Sequence, residues 1–144
     1  MGRFCLGSSQ FVVLVAGLLG IACVFGIVFA PQLNELHARL KVQQFEQRFG
    51  FTTGPVLVPN GAGGHLELWG IAAVAAGGSF DLIGVRAGDV PFEYHGHAAA
   101  RLLDALRRAS AGERGDFEVA NAADWMTPGQ SLRHIVIAAV KNPS

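Results

Sequence analysis

The twenty residues from Phe11 to Ala30, FVVLVAGLLGIACVFGIVFA, carry no charge and no strongly polar side chain. As a helix rising about 1.5 Å per residue, such a run spans about 30 Å, the thickness of a bilayer's hydrocarbon core. A helix bonds its backbone amides internally, which lipid demands of any spanning segment. The run therefore predicts a membrane anchor, with the C-terminal residues held at the surface as a folded domain. A cleaved signal peptide is the competing reading: Arg3 supplies a basic start and Val28-Phe29-Ala30 a small-residue site. Pro31 directly after that site, and an apolar run longer than an ordinary signal core, favour the uncleaved anchor. Gly20-Ile21-Ala22-Cys23 lacks the aliphatic opening of a lipoprotein box, and Leu6 stands where myristoylation wants Ser or Thr.

The rest of the chain is balanced in charge. With 11 basic and 11 acidic residues there is no electrostatic footprint for nucleic acid. The cysteines, Cys5 and Cys23, lie beside or inside the apolar run, so no disulfide is expected beyond it. Roughly a hundred residues remain after the anchor and its linker, enough for one hydrophobic core. Orientation is pulled both ways. Arg3 precedes the run and Arg39, Lys41 and Arg48 follow it, which by the positive-inside rule would put the domain in the cytoplasm. A short tail ahead of a single anchor more commonly stays inside.

From Pro31 to Gln47, Leu33, Leu36, Leu40 and Phe45 recur near helical spacing among charged and amide side chains. This predicts an amphipathic helical linker, with the leucines packing on the domain, the headgroups or a partner. Beyond it the chain reads as short strands, glycine-rich turns and one strong helix. Strands are expected over Phe49–Val58 and Leu66–Val74, joined by the turn at Pro59-Asn60-Gly61. Ser79 is a cap for a short turn at Phe80–Ile83. A third strand is expected over Val90–Tyr94, a helix over Ala98–Ser110, and two closing strands over Asp116–Ala120 and Leu132–Val140.

These pieces carry a resemblance. Gly84-Val85-Arg86-Ala87-Gly88-Asp89-Val90, after the small turn Gly77-Gly78-Ser79 and a short helix, resembles the central signature of PDZ domains. Arg48-Phe49-Gly50-Phe51 is similar to the loop that opens their peptide groove, and the leucine-rich helix and Phe117-Glu118-Val119 follow in the family's order. The fold so implied is α+β: a small PDZ-like, partly open β-barrel or sandwich with two helices, preceded by one transmembrane helix. The divisions are residues 1–10 as a tail, 11–30 as the transmembrane helix, 31–47 as the linker and 48–141 as the domain.

The resemblance implies a protein or peptide partner, bound as a strand added to a sheet edge with its C-terminal carboxylate on backbone N–H groups. Arg48, Phe49, Gly50 and Phe51 would receive the carboxylate and the last side chain. The strand from Thr52 onward would pair with the peptide, and Ala99, Leu103 and Leu106 would line the facing helix. Gly54-Pro55 departs from the pattern, because proline has no N–H for that ladder. The likeness to bacterial envelope proteins implies an inner-membrane protein with its domain extracytoplasmic, partnered by the lipid bilayer and another membrane or envelope protein.

Catalysis is not expected. Glu93, His95 and His97 alternate like metal ligands but flank a turn at Gly96 where alternation fails, so no metal site is expected, nor any cofactor. No serine is paired with a base, and the Gly61-Ala62-Gly63-Gly64 loop precedes a strand where a phosphate cradle would precede a helix. The alternative to an adaptor is an accessory subunit of a membrane complex, docked through its transmembrane helix with Gly17, Gly20 and Gly26 allowing close approach.

Overall fold

The computed structural model describes residues 8–92, 96–125 and 132–138. The chain divides into two compact units, Met1–Asn34 and Glu35–Ser144. Helix α1 runs Ser8–Val42 with Pro31 inside it. In the first unit the described apolar side chains point outward in several directions: Val12, Val13, Leu18, Leu19, Ile21 and Val24 are all exposed. At about 100° per residue those positions circle the whole helix, and an added Cβ on Gly17, Gly20 or Gly26 would meet nothing. Among the described residues no helix is long and apolar enough to cross a membrane. The span expected over 11–30 includes Phe11, Leu14, Ala22, Phe25, Ile27 and Val28, whose side chains lie outside the described residues.

The second unit is α+β. After α1 come a 3₁₀ turn, Gln43–Phe45, and a short helix α2, Glu46–Phe49. Gly50 closes α2 with φ 71°, a left-handed conformation that glycine adopts without a Cβ penalty. The expected strand from Phe49 therefore starts later, as β1 (Phe51–Pro59), and pairs antiparallel with β2 (His65–Val74). Asn60 closes the hairpin between them: its Oδ1 accepts from Ala62 N–H and Gly64 N–H at 3.0 and 2.9 Å. Those amides are thereby committed to the turn.

Helix α3 (Ser79–Leu82) is capped by Gly78, and Ser79 makes no capping bond. Asp81 instead ties the preceding turn to the helix, its Oδ2 accepting from Gly77 N–H at 2.8 Å. Strand β3 (Asp89–Phe92), helix α4 (Ala98–Ser110), strand β4 (Gly115–Asn121), a 3₁₀ turn at Ala122–Asp124 and strand β5 (Arg133–Ile137) complete the order. Glu93, Tyr94 and His95, expected in the third strand, and Ala139 and Val140, expected in the last, lie outside the described residues.

The strands form two small antiparallel sheets, β1-β2 and β3-β4-β5, and close no barrel. The seam between them is short for a physical reason. β3 has four residues, one of them Pro91 without an N–H, and just before it Gly88 N–H donates to Ile71 C=O of β2 at 2.8 Å. An aromatic cluster fills the core. Phe80, fully buried, stacks on Phe51 at 4.2 Å between centroids and contacts Phe49 and Phe117 at 5.8 and 6.1 Å. Leu102, Leu103 and Leu106 of α4 close over it, as their helical spacing implies.

Candidate functional site

The residues of the expected groove do gather, but as core. Phe49, Phe51, Ala99, Leu103 and Leu106 belong to one buried cluster, none more than 6% exposed. Gly50 is half-buried, and its N–H donates to Glu46 C=O at 2.9 Å to finish α2. Arg48 and Thr52 are exposed, Arg48 lying 5.9 Å from the centre of the Phe49 ring. In this conformation the aromatic pair packs inward against Phe80.

What fills the space between β1 and α4 is the chain's own helical segment from Glu35 to Glu46. Ala38 and Val42 are buried in the same cluster as Ala99, Leu103 and Leu106, and Phe45 packs against it from the side. Each end of the segment is fastened by a carboxylate. Glu35, 8% exposed, accepts from Ala99 N–H at 2.9 Å and Ala100 N–H at 3.4 Å. These are amides of the first turn of α4, which have no partners inside their own helix, and the positive end of the helix dipole attracts the carboxylate. His97 at the N-cap makes no side-chain capping bond, and Glu35 supplies the cap from another element. At the other end Glu46 Oε1 accepts from Thr53 N–H at 2.8 Å and Thr53 Oγ–H at 2.6 Å.

The Thr53 contact also reveals the chemistry of the β1 edge. Amides alternate sides along a strand, so with Thr53 N–H turned away from β2 the same outward side falls to residues 55, 57 and 59. Two of those are Pro55 and Pro59. The outer edge therefore presents donors at Thr53 and Leu57, and Glu46 holds the first of them. Prolines and an occupied amide blunt an edge against further strands.

The leucine stripe, expected to pack on the domain, the headgroups or a partner, faces away from the domain core. Leu36 and Leu40 are 55% and 56% exposed. They form one wall of an open cleft of about 400 Å³ whose other wall includes Thr53, Pro55 and Trp69. Arg39 lies 5.5 Å over the Trp69 ring and 3.6 Å from Glu35, bridging the two walls. Sequence reasoning missed Glu35, Ala38, Val42 and Glu46. Their signal was present as a second face, apolar residues at 38, 42 and 45 bracketed by acids, but the three leucines outweighed it.

The Gly84–Val90 signature is structural. Asp89, fully buried, accepts from Arg86 N–H and Asn121 Nδ2, both at 2.8 Å, and pairs with Arg133 Nη2. Arg133 Nη1 also donates to Gly84 C=O at 2.7 Å, so one carboxylate ties the loop to β4 and β5. At the surface Asp116 binds His134 at 3.2 Å and lies 3.7 Å from Arg101. The His134 hydrogen bond, opposed by slight desolvation and aided by Arg101, holds the Asp116 carboxyl below its usual value. Among the described residues no three of His, Cys, Asp and Glu gather to hold a metal. Glu93 and His95 of the metal pattern lie outside the described residues. The chain matches no protein-family model, no curated protein and no solved structure.

Proposed function

We propose that this chain is a membrane-anchored adaptor whose PDZ-like domain captures a segment or C-terminus of a partner protein, with no catalytic role. The observation that carries this reading is the space between β1 and α4. Its floor is apolar, and backbone amides at both ends already hold carboxylates, those of Glu35 and Glu46. An acceptor of that kind suits a peptide bearing a free carboxylate. The anchor is supported by the apolar run Phe11–Ala30 and by a helix whose described apolar side chains are exposed all round.

A second reading is the accessory subunit held through its apolar helix. It is favoured by the proline-blunted edge of β1, which leaves little ladder for an extended ligand. Titration of the full chain in lipid nanodiscs against peptides with free and amidated C-termini separates the two. Binding that needs the free carboxylate supports the adaptor. Absence of binding, with co-purification of a membrane complex that is lost when residues 11–30 are replaced by an unrelated apolar helix, establishes the subunit.

A further inference from the structure

We infer that the segment from Glu35 to Glu46 is a built-in occupant of the groove between β1 and α4, fastened by two carboxylate latches, and that a partner enters by displacing it. The inference rests on the adaptor reading and adds its regulation. Three features of the segment support it. First, its bonds are made to the groups an incoming ligand would need. Glu46 occupies Thr53 N–H, one of the two outward donors between Thr53 and Pro59, and Glu35 occupies the first free amides of α4. Second, the segment leaves part of its apolar surface unused. Ala38 and Val42 are buried and Phe45 packs against the core, while Leu36 and Leu40 stay more than half exposed. Third, the regular helix breaks between the latches, at the 3₁₀ turn Gln43–Phe45, which has no side-chain cap. Such breaks serve as hinges.

The exposed leucines give displacement a direction. A helix that leaves the groove presents an apolar stripe whose larger side chains are already at the surface. Because Glu46 stands on the strand amide and hydroxyl of Thr53, a ligand carrying its own carboxylate replaces that bond in kind. Acidic or free C-terminal peptides are therefore the class that competes best.

The test uses the full chain in nanodiscs with Glu35→Gln and Glu46→Gln, singly and together, because glutamine keeps the shape and removes the charge. Two quantities are read: amide exchange at Thr53 and Ala99, and affinity for the peptide library with free C-termini. Faster exchange at both amides, with at least tenfold tighter peptide binding in the double variant, is the expected result. Equal binding by the wild type and the double variant overturns the gate and leaves the adaptor standing. No binding by a double variant whose two amides exchange freely overturns gate and adaptor together. If the double variant does not fold, Thr53→Val removes the hydroxyl half of one latch alone. Severalfold tighter binding there supports the gate, and unchanged binding refutes it.

Discussion

Gly50 sits at φ 71°, with the Cα of Gly78 only 3.2 Å from where its Cβ would lie. A β-branched side chain there meets both the left-handed backbone penalty and a backbone contact, each worth about 1–3 kcal/mol. Gly50→Val is thus expected to lower the melting temperature by several degrees or more, and loss of peptide binding in it would report unfolding rather than a blocked groove. Circular dichroism melts of the chain in detergent decide this, and an unchanged midpoint would refute it. Asp89 is the other residue on which much depends. Asp89→Asn keeps the volume but leaves the partly exposed Arg133 facing a neutral amide, and losing the charge of that bond costs about 1–3 kcal/mol. A urea midpoint equal to wild type would show that the carboxylate is dispensable. The apolar character of Phe49 and Phe51 was legible in the sequence, but whether they faced a groove or a core was not. Period-two alternation gives a side chain's face without saying what covers it, and here Phe80 covers both.

Helix α4 was legible to the residue, because Ala, Leu and Arg fill Ala98–Ser110 and Gly112 follows. The linker was legible as a helix, while the face it packs on the core was not. Three leucines at helical spacing outweigh Ala38 and Val42 on any hydropathy count, yet Ala38, Val42 and Phe45 are the residues that pack on the core. Its cap, Glu35, lies 64 residues from Ala99, beyond any local pattern. Contact between α4 and β4 is close enough to need a glycine: a methyl on Gly115 would run into the Ala105 carbonyl. Gly115→Ala should destabilise by about 1–3 kcal/mol, seen as an earlier urea transition, and wild-type stability would mean that the helix can retreat at no cost. On the surface joining α4, β4 and β5, Asp116 contributes to acid sensitivity. Its folded pKa lies below the ordinary 3.8. Its stabilisation is therefore complete above that unfolded value and is lost as pH falls through the lower folded one. Asp116→Asn should flatten the decline of the melting temperature as pH falls below about 4. A decline as steep as that of wild type would sink the assignment.

At the scale of the whole molecule, the first unit and the second pose different problems to water. The second hides its phenylalanines, while the first displays Val13, Leu18, Leu19 and Ile21, with Val13 72% exposed. A helix apolar all round needs either a protein core or lipid about it. If lipid is the answer, a charge at its middle should be resisted. Leu19→Arg places a guanidinium near the centre of the run Phe11–Ala30, at a cost of about 2.5–3.5 kcal/mol for insertion, or roughly a hundredfold in partition. The full chain should float with vesicles after alkaline carbonate treatment, and Leu19→Arg should sediment with the soluble fraction to a large extent. Leu82→Arg, on a domain residue that is 78% exposed, should float as wild type does. Intact mass of the floated chain separates the anchor from a cleaved leader, since a cut after Ala30 removes the whole run. Retention of that mass together with the Leu19→Arg defect fixes the apolar helix as the membrane contact. Equal flotation of both variants would place the contact elsewhere, and the outward Leu36 and Leu40 would be the next residues to charge.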